Sequence, residues 1–151
     1  MYGINTDIMN MNYIYKNISD AVLDENKAAV LNLIDRGENI NQKDSKGITP
    51  LMHSAGEGYF SITKLLIERG ADVNLSSNFG YTALHEACEN AHVEIVCLLV
   101  EKDADVNIKT SSGKNAFDLC IDTLSKVKNL EKKERLISIL NIVSAKIKSE
   151  N

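Results

Sequence analysis

Apolar residues recur along the chain at helical spacing. Ile62, Leu65 and Leu66 form one group and Ile95, Val96, Leu98 and Leu99 another, at the three- and four-residue intervals that share a helix face. A weaker helix is predicted around Val30 to Ile34. Near the end, Leu136, Ile137, Leu140 and Val143 predict the inward stripe of a helix over Glu131–Lys148, with Lys132, Lys133, Arg135 and Lys146 mostly outward. Thr49 and Thr82 stand where a side-chain oxygen can accept the first free N–H groups of a helix, which makes them N-caps. Pro50 then falls at the first helical position, where its missing N–H costs nothing. Gly37 and Gly70 each follow an apolar run, as a left-handed residue ending a helix would. One pair of such helices cannot bury its stripe alone, so the units are expected to stack side by side.

The pattern is periodic. Gly47, Gly80 and Gly113 are separated by 33 residues, as are Asn41, Asn74 and Asn107, and Gly37, Gly70 and Asp103. Thr49 and Thr82, and Leu51 and Leu84, keep the same interval. Asp103 must therefore take a left-handed conformation or the turn must change, and a modest loss of stability is expected there.

The two central units read GITPLMHSAGEGYFSITKLLIERGADVN from Gly47 and GYTALHEACENAHVEIVCLLVEKDADVN from Gly80. They resemble the ankyrin repeat, with its T-P-L-H-x-A turn and helix, second apolar helix and G-A-D-V-N close. The resemblance implies an all-α solenoid of helix-turn-helix units with β-turn tips. About four repeats are expected over residues 11–151, bounded near 11–43, 44–76, 77–109 and 110–151, after a flexible tail over 1–10. The first unit is degenerate. In the last, Asn115, Ala116 and Asp118 replace the usual Thr, Pro and His, and the final helix falls about eight residues late, so its first helix is expected to be longer.

The composition, with 44% hydrophobic and 25% charged residues, one proline and eight glycines, is that of a folded soluble chain. No run is apolar for long enough to span a membrane, and Met1–Asn12 lacks the basic start and apolar core of a secretory signal. Three cysteines, an odd count, point away from a disulfide framework and toward a cytoplasmic location. The net charge of −4 argues against nucleic acid as partner, and a monomer is expected. Charge is uneven: ten Lys/Arg oppose eighteen Asp/Glu up to Thr123, whereas seven oppose three from Leu124 onward. A solvated helix face explains that basic end without a partner.

Little suggests chemistry. His85 holds the histidine position of the resemblance and is expected to be structural, bonded to turn backbone. His53 is displaced by one from that position, which Met52 takes, and His92 begins a second helix. His85, Cys88 and His92 lack a fourth metal ligand nearby, and Cys88, Cys97 and Cys120 fall at or near apolar positions. No phosphate loop, dinucleotide fingerprint or carboxylate pair appears. No catalytic residue, metal or cofactor is expected.

The resemblance instead implies a protein partner, held by turn tips and by the exposed face of the first helices. The tip positions are Ser45, Lys46 and Ile48; Asn78, Phe79 and Tyr81; and Ser111, Ser112 and Lys114. Those on the helices are Leu23 and Asp24; Gly56 and Glu57; Glu89 and Asn90; and Asp122 and Thr123. Two aromatics share one tip, and aromatics are frequent among residues that dominate binding. Tyr13 and Tyr15 could extend the surface. Asp24, Glu57, Glu89 and Asp122 place one carboxylate per unit, a repulsive ladder that a basic partner would neutralise. The fold-based expectation is a binding module for a basic protein, with a bacterial immunity or antitoxin-like protein and a host-directed effector as narrower alternatives.

Overall fold

The computed structural model describes residues 14–150, so the tail at 1–10 and Tyr13 lie outside the described residues. Within them the chain forms eight α-helices: α1 (Ile18–Leu23), α2 (Lys27–Asp35), α3 (Pro50–Glu57), α4 (Phe60–Glu68), α5 (Ala83–Asn90), α6 (Val93–Glu101), α7 (Ala116–Lys126) and α8 (Leu130–Glu150). They pair as hairpins and stack in two rows, α1, α3, α5 and α7 in one and α2, α4, α6 and α8 in the other. The core runs between the rows and includes Ile18, Val22, Leu51, Ile62, Leu66, Leu84, Ile95 and Leu99.

The local signals are satisfied as read. Thr49 accepts from the Met52 N–H at 3.3 Å, and Pro50 opens α3. Thr82 and His85 cap α5 reciprocally, and Asn115 and Asp118 build the same capping box on α7 with different side chains. Each tip closes by the same backbone bond, from the Asp44, Ser77 and Thr110 N–H groups to the Ile48, Tyr81 and Lys114 carbonyls. Tips also bond to each other: the Asn78 N–H donates to the Lys46 carbonyl, and Ser111 to Phe79, both at 2.9 Å. Left-handed backbone, with φ of 77°, 78° and 77°, calls for glycine at all three tips, and that close approach adds a second reason at Gly47 and Gly80. A Cβ on Gly47 would lie 2.7 Å from the Asn78 backbone nitrogen, whereas one on Gly113, where no further tip follows, would meet nothing within 4 Å.

A second ladder sits between the paired helices. Glu25, Gly58 and Ala91, again 33 apart, all take left-handed backbone at the turn between paired helices, with φ of 52°, 81° and 63°. Only Gly58 is a residue that does so freely. The next position in the series, Leu124, stays inside α7, which is why that helix has 11 residues and the α8 helix starts late. Of the two outcomes open to Asp103, left-handed backbone is the one found, with φ of 58°.

The last helix differs in phase from the expectation. Leu136, Ile139 and Val143 are buried, and Leu140 is partly so, whereas Ile137 is 50% exposed. Residues 136, 139, 140 and 143 follow the helical repeat, and 137 falls off that stripe. Lys146 does not point freely outward: its ammonium pairs with Asp103 at 3.3 Å and Glu150 at 3.6 Å. Leu98, expected in the core, is only partly buried, beside the cleft between α4 and α6.

The asparagine ladder joins consecutive units. The Asn41 side chain accepts from the Asp72 N–H at 3.0 Å, and Asn74 from the Asp105 N–H at 2.8 Å. Asn107 has no such loop beyond it, and its amide donates to Glu150 of α8 at 3.2 Å.

Candidate partner-binding face

The first-helix row presents the open face on which the candidate residues lie, and the two well-formed units meet there at the seam of α3 and α5. Gly56 and Glu57 end α3, and Glu89 and Asn90 end α5. The structure adds Glu86, one turn earlier on α5. Its position three and four residues before Glu89 and Asn90 is the signal that places it on their face. Burial, and then the charge of Glu89, raises the Glu86 pKa from its ordinary 4.5 to about 6. No cation pairs with Glu57, Glu86 or Glu89 among the described residues. The Asn90 amide donates to the Glu86 backbone carbonyl at 3.1 Å.

The carboxylate ladder does not extend unbroken to the cap. Asp122 is bonded to Lys114, and that ammonium, ahead of the opposing effect of desolvation, holds the Asp122 carboxyl below its ordinary range. Two side chains read as separate contact positions therefore satisfy one another. Asp24, at the other end, closes α1 as its C-cap.

The aromatic tip divides into two roles. Phe79 sits beside Ser111 and Ser112 yet stays 62% exposed. Tyr81 is half-buried, its ring tilted against that of His85 with 5.7 Å between centroids. Burial, and next the nearby Glu89 and Glu86 charges, raise the Tyr81 pKa. Lys46 is exposed, Ile48 packs partly on the core, and the Ser112 hydroxyl lies 2.9 Å from that of Thr110. Asn78 has structural work as well, since its amide donates to the Ser45 carbonyl at 3.1 Å. Tyr15 is also engaged, accepting from the Asn26 amide at 3.2 Å.

The histidines hold turns. His85 is buried, and its Nδ1 accepts the Thr82 N–H at 3.1 Å, so in the neutral ring Nε2 carries the proton. Among the described residues that nitrogen has no hydrogen-bond partner, and the Ile108 backbone of the same unit and the Lys114 backbone of the next lie near the ring. Burial lowers the His85 pKa, partly opposed by that backbone. His92 reaches the Gly56 carbonyl at 3.0 Å, and its ring fills the space where a Gly58 Cβ would sit. His53 pairs with Asp44 at 3.4 Å. Cys88 and Cys120 are buried with their thiols against each other, and that contact, followed by burial, pushes the Cys88 pKa well up. Such thiols behave as small apolar groups.

Among the described residues no group of three His, Cys, Asp or Glu side chains could hold a metal ion, and no helix is long and apolar enough to cross a membrane. Among curated proteins no match to the chain is found. A family model for ankyrin repeats matches residues 18–110 with three copies, leaving the α7–α8 pair outside the match. Three matched copies, two rows of stacked helices and tips repeating every 33 residues agree: the chain belongs to the ankyrin-repeat family, whose repeats generally mediate protein–protein interaction.

Proposed function

We propose that this chain binds a basic surface of another protein on the open face of its first helices. The observation that carries the reading is the trio Glu57, Glu86 and Glu89, three carboxylates at one seam that no cation among the described residues pairs with. Like charges in a half-buried seam repel, and a cationic partner converts that repulsion into attraction. The exposed ring of Phe79 adds an apolar anchor at the neighbouring tip. Lys46, Ile48, Asn78, Ser112 and Lys114 line the flanking tips.

Affinity capture from the native source, with bound proteins quantified by mass spectrometry, tests this reading. Phe79→Ala should reduce capture of the partner severalfold at unchanged melting temperature, because the ring is exposed. Tyr81→Ala should also reduce capture, but at some cost in stability through the lost His85 contact. Equal capture by wild type and both variants would overturn the assignment.

A further inference from the structure

We propose that the cleft between α3 and α5 is a socket for a single cationic side chain, arginine or lysine, of the partner protein, with Glu86 as its ion-pair partner. The inference rests on the basic-partner reading and gives it an address.

Gly56 is the first argument. It lies within α3, and it is not among the residues with left-handed backbone. Glycine at an ordinary helical position is less stable than alanine, with no conformational return. What it leaves is room in front of Glu86. A Cβ at 56 would lie 3.4 Å from the Glu86 carboxylate oxygen Oε2, 3.6 Å from its Cβ and 3.9 Å from the Asn90 amide nitrogen. An alanine would fit there and narrow the opening.

The shape of the cleft is the second argument. It encloses about 220 Å³, with Ile48 and Met52 on one side and Glu86 and Asn90 on the other. That is below the roughly 300–1,000 Å³ of small-molecule sites, and suits one side chain better than a metabolite. Long cationic side chains lay their methylene stems on apolar walls and keep the charged head among polar groups. Ile48, partly exposed, can receive the stem over the buried Met52, and Glu86 the head, with Glu57 at the rim.

Charge is the third. The groups facing Glu86 are Glu89 on its own helix, Glu57 and His53 on α3, and Tyr81 on the preceding turn. His53 already pairs with Asp44, so it does not occupy the cleft as a counter-ion. Burial and Glu89 make ionised Glu86 unfavourable in the free protein. An entering cation removes that penalty, and a neutral side chain of similar length does not.

The probes are N-acetyl-arginine amide, N-acetyl-lysine amide and the neutral N-acetyl-norleucine amide, each titrated into the intact chain while backbone amide resonances are followed. Saturable shifts at Gly56, Glu86 and Asn90 are expected with the two cations and not with norleucine. Glu86→Gln should weaken cation binding about tenfold, the loss of one charge-assisted contact. Gly56→Ala should weaken it severalfold while the melting temperature stays level or rises, which separates a closed socket from a damaged fold. Equal shifts from norleucine, unchanged affinity in Glu86→Gln, or shifts spread over every surface carboxylate would each overturn the socket. If the socket fails while Phe79→Ala still reduces partner capture severalfold, only this inference falls. Cation binding at the socket with capture indifferent to Phe79 and Tyr81 would overturn the broader reading instead.

Discussion

The α3–α5 seam and the α7–α8 cap use equivalent positions in opposite ways. Tyr81 and Glu89 of the third unit stand 33 residues before Lys114 and Asp122 of the last. In the cap those two side chains bond to each other, whereas Glu89 faces Glu86 and no cation among the described residues pairs with either. The cap also closes Asn107 onto Glu150 and Asp103 onto Lys146. Where the stack ends, the chain satisfies its own polar groups. At the central seam it leaves them open. On the proposed reading, stability and recognition fall to different parts of one repeating frame, in keeping with the way binding sites retain groups that a fold alone would not choose.

The contrast can be broken most severely at the cap. Leu136→Ala removes a fully buried side chain of α8 and should cost about 3 kcal/mol in denaturant unfolding, while Ile137→Ala, half exposed, should cost under about 0.5 kcal/mol. Equal losses would mean that the helix packs in a different phase. Next in size is the tip glycine. Gly47→Ala combines left-handed backbone with a clash against Asn78, and should cost about 2–3 kcal/mol. Gly113→Ala carries the strain without the clash and should cost about 1 kcal/mol, so the difference measures tip-to-tip contact.

The seam itself is sharpened by pH. The Glu86 pKa is higher in the folded chain than in the unfolded one, so this group favours folding below about pH 4.5 and loses that contribution as pH rises through about 6. Screening of a partly exposed group limits the effect to about 1 kcal/mol. Glu86→Gln should therefore match wild type near pH 4 and exceed its melting temperature near pH 8; a pH-independent difference would remove the argument. The smallest effect belongs to Asp103→Gly. It relieves left-handed strain and gives up a solvent-exposed pair with Lys146, for a net gain under about 1 kcal/mol by thermal melting.

Much of the frame was legible because each signal is local. Thr49, Pro50 and Thr82 announce helix starts through their own chemistry, and the glycine and asparagine ladders repeat at one interval. Asn115 and Asp118 depart from the resemblance in letters and preserve it in hydrogen bonds. What stayed hidden depends on neighbours. Glu25 and Ala91 carry no mark of left-handed backbone, because the turn is imposed by the helices it joins. Helical phase decided between Ile137 and Ile139, and only the position of Asp103 shows that Lys146 is a clamp. On the proposed binding face, the resemblance implied one surface for Glu57, Glu89 and Asn90. It could not show that Asp122 is neutralised by Lys114, or that Gly56 opens onto Glu86, since both facts are distances across a turn or a seam.

The asparagine bonds between units have a consequence for how such a chain can change length. Among the described residues, each internal joint joins an acceptor on one loop to the N–H of the next, and only the last is sealed by a carboxylate from a different element. A copy of residues 77–109 spliced in before residue 110 would meet the same loop chemistry on both sides, and Glu150 would still seal the final joint. The terminator is separate from the unit it terminates. Lengthening or shortening the grip would then be an edit of whole units, made without redesigning either end.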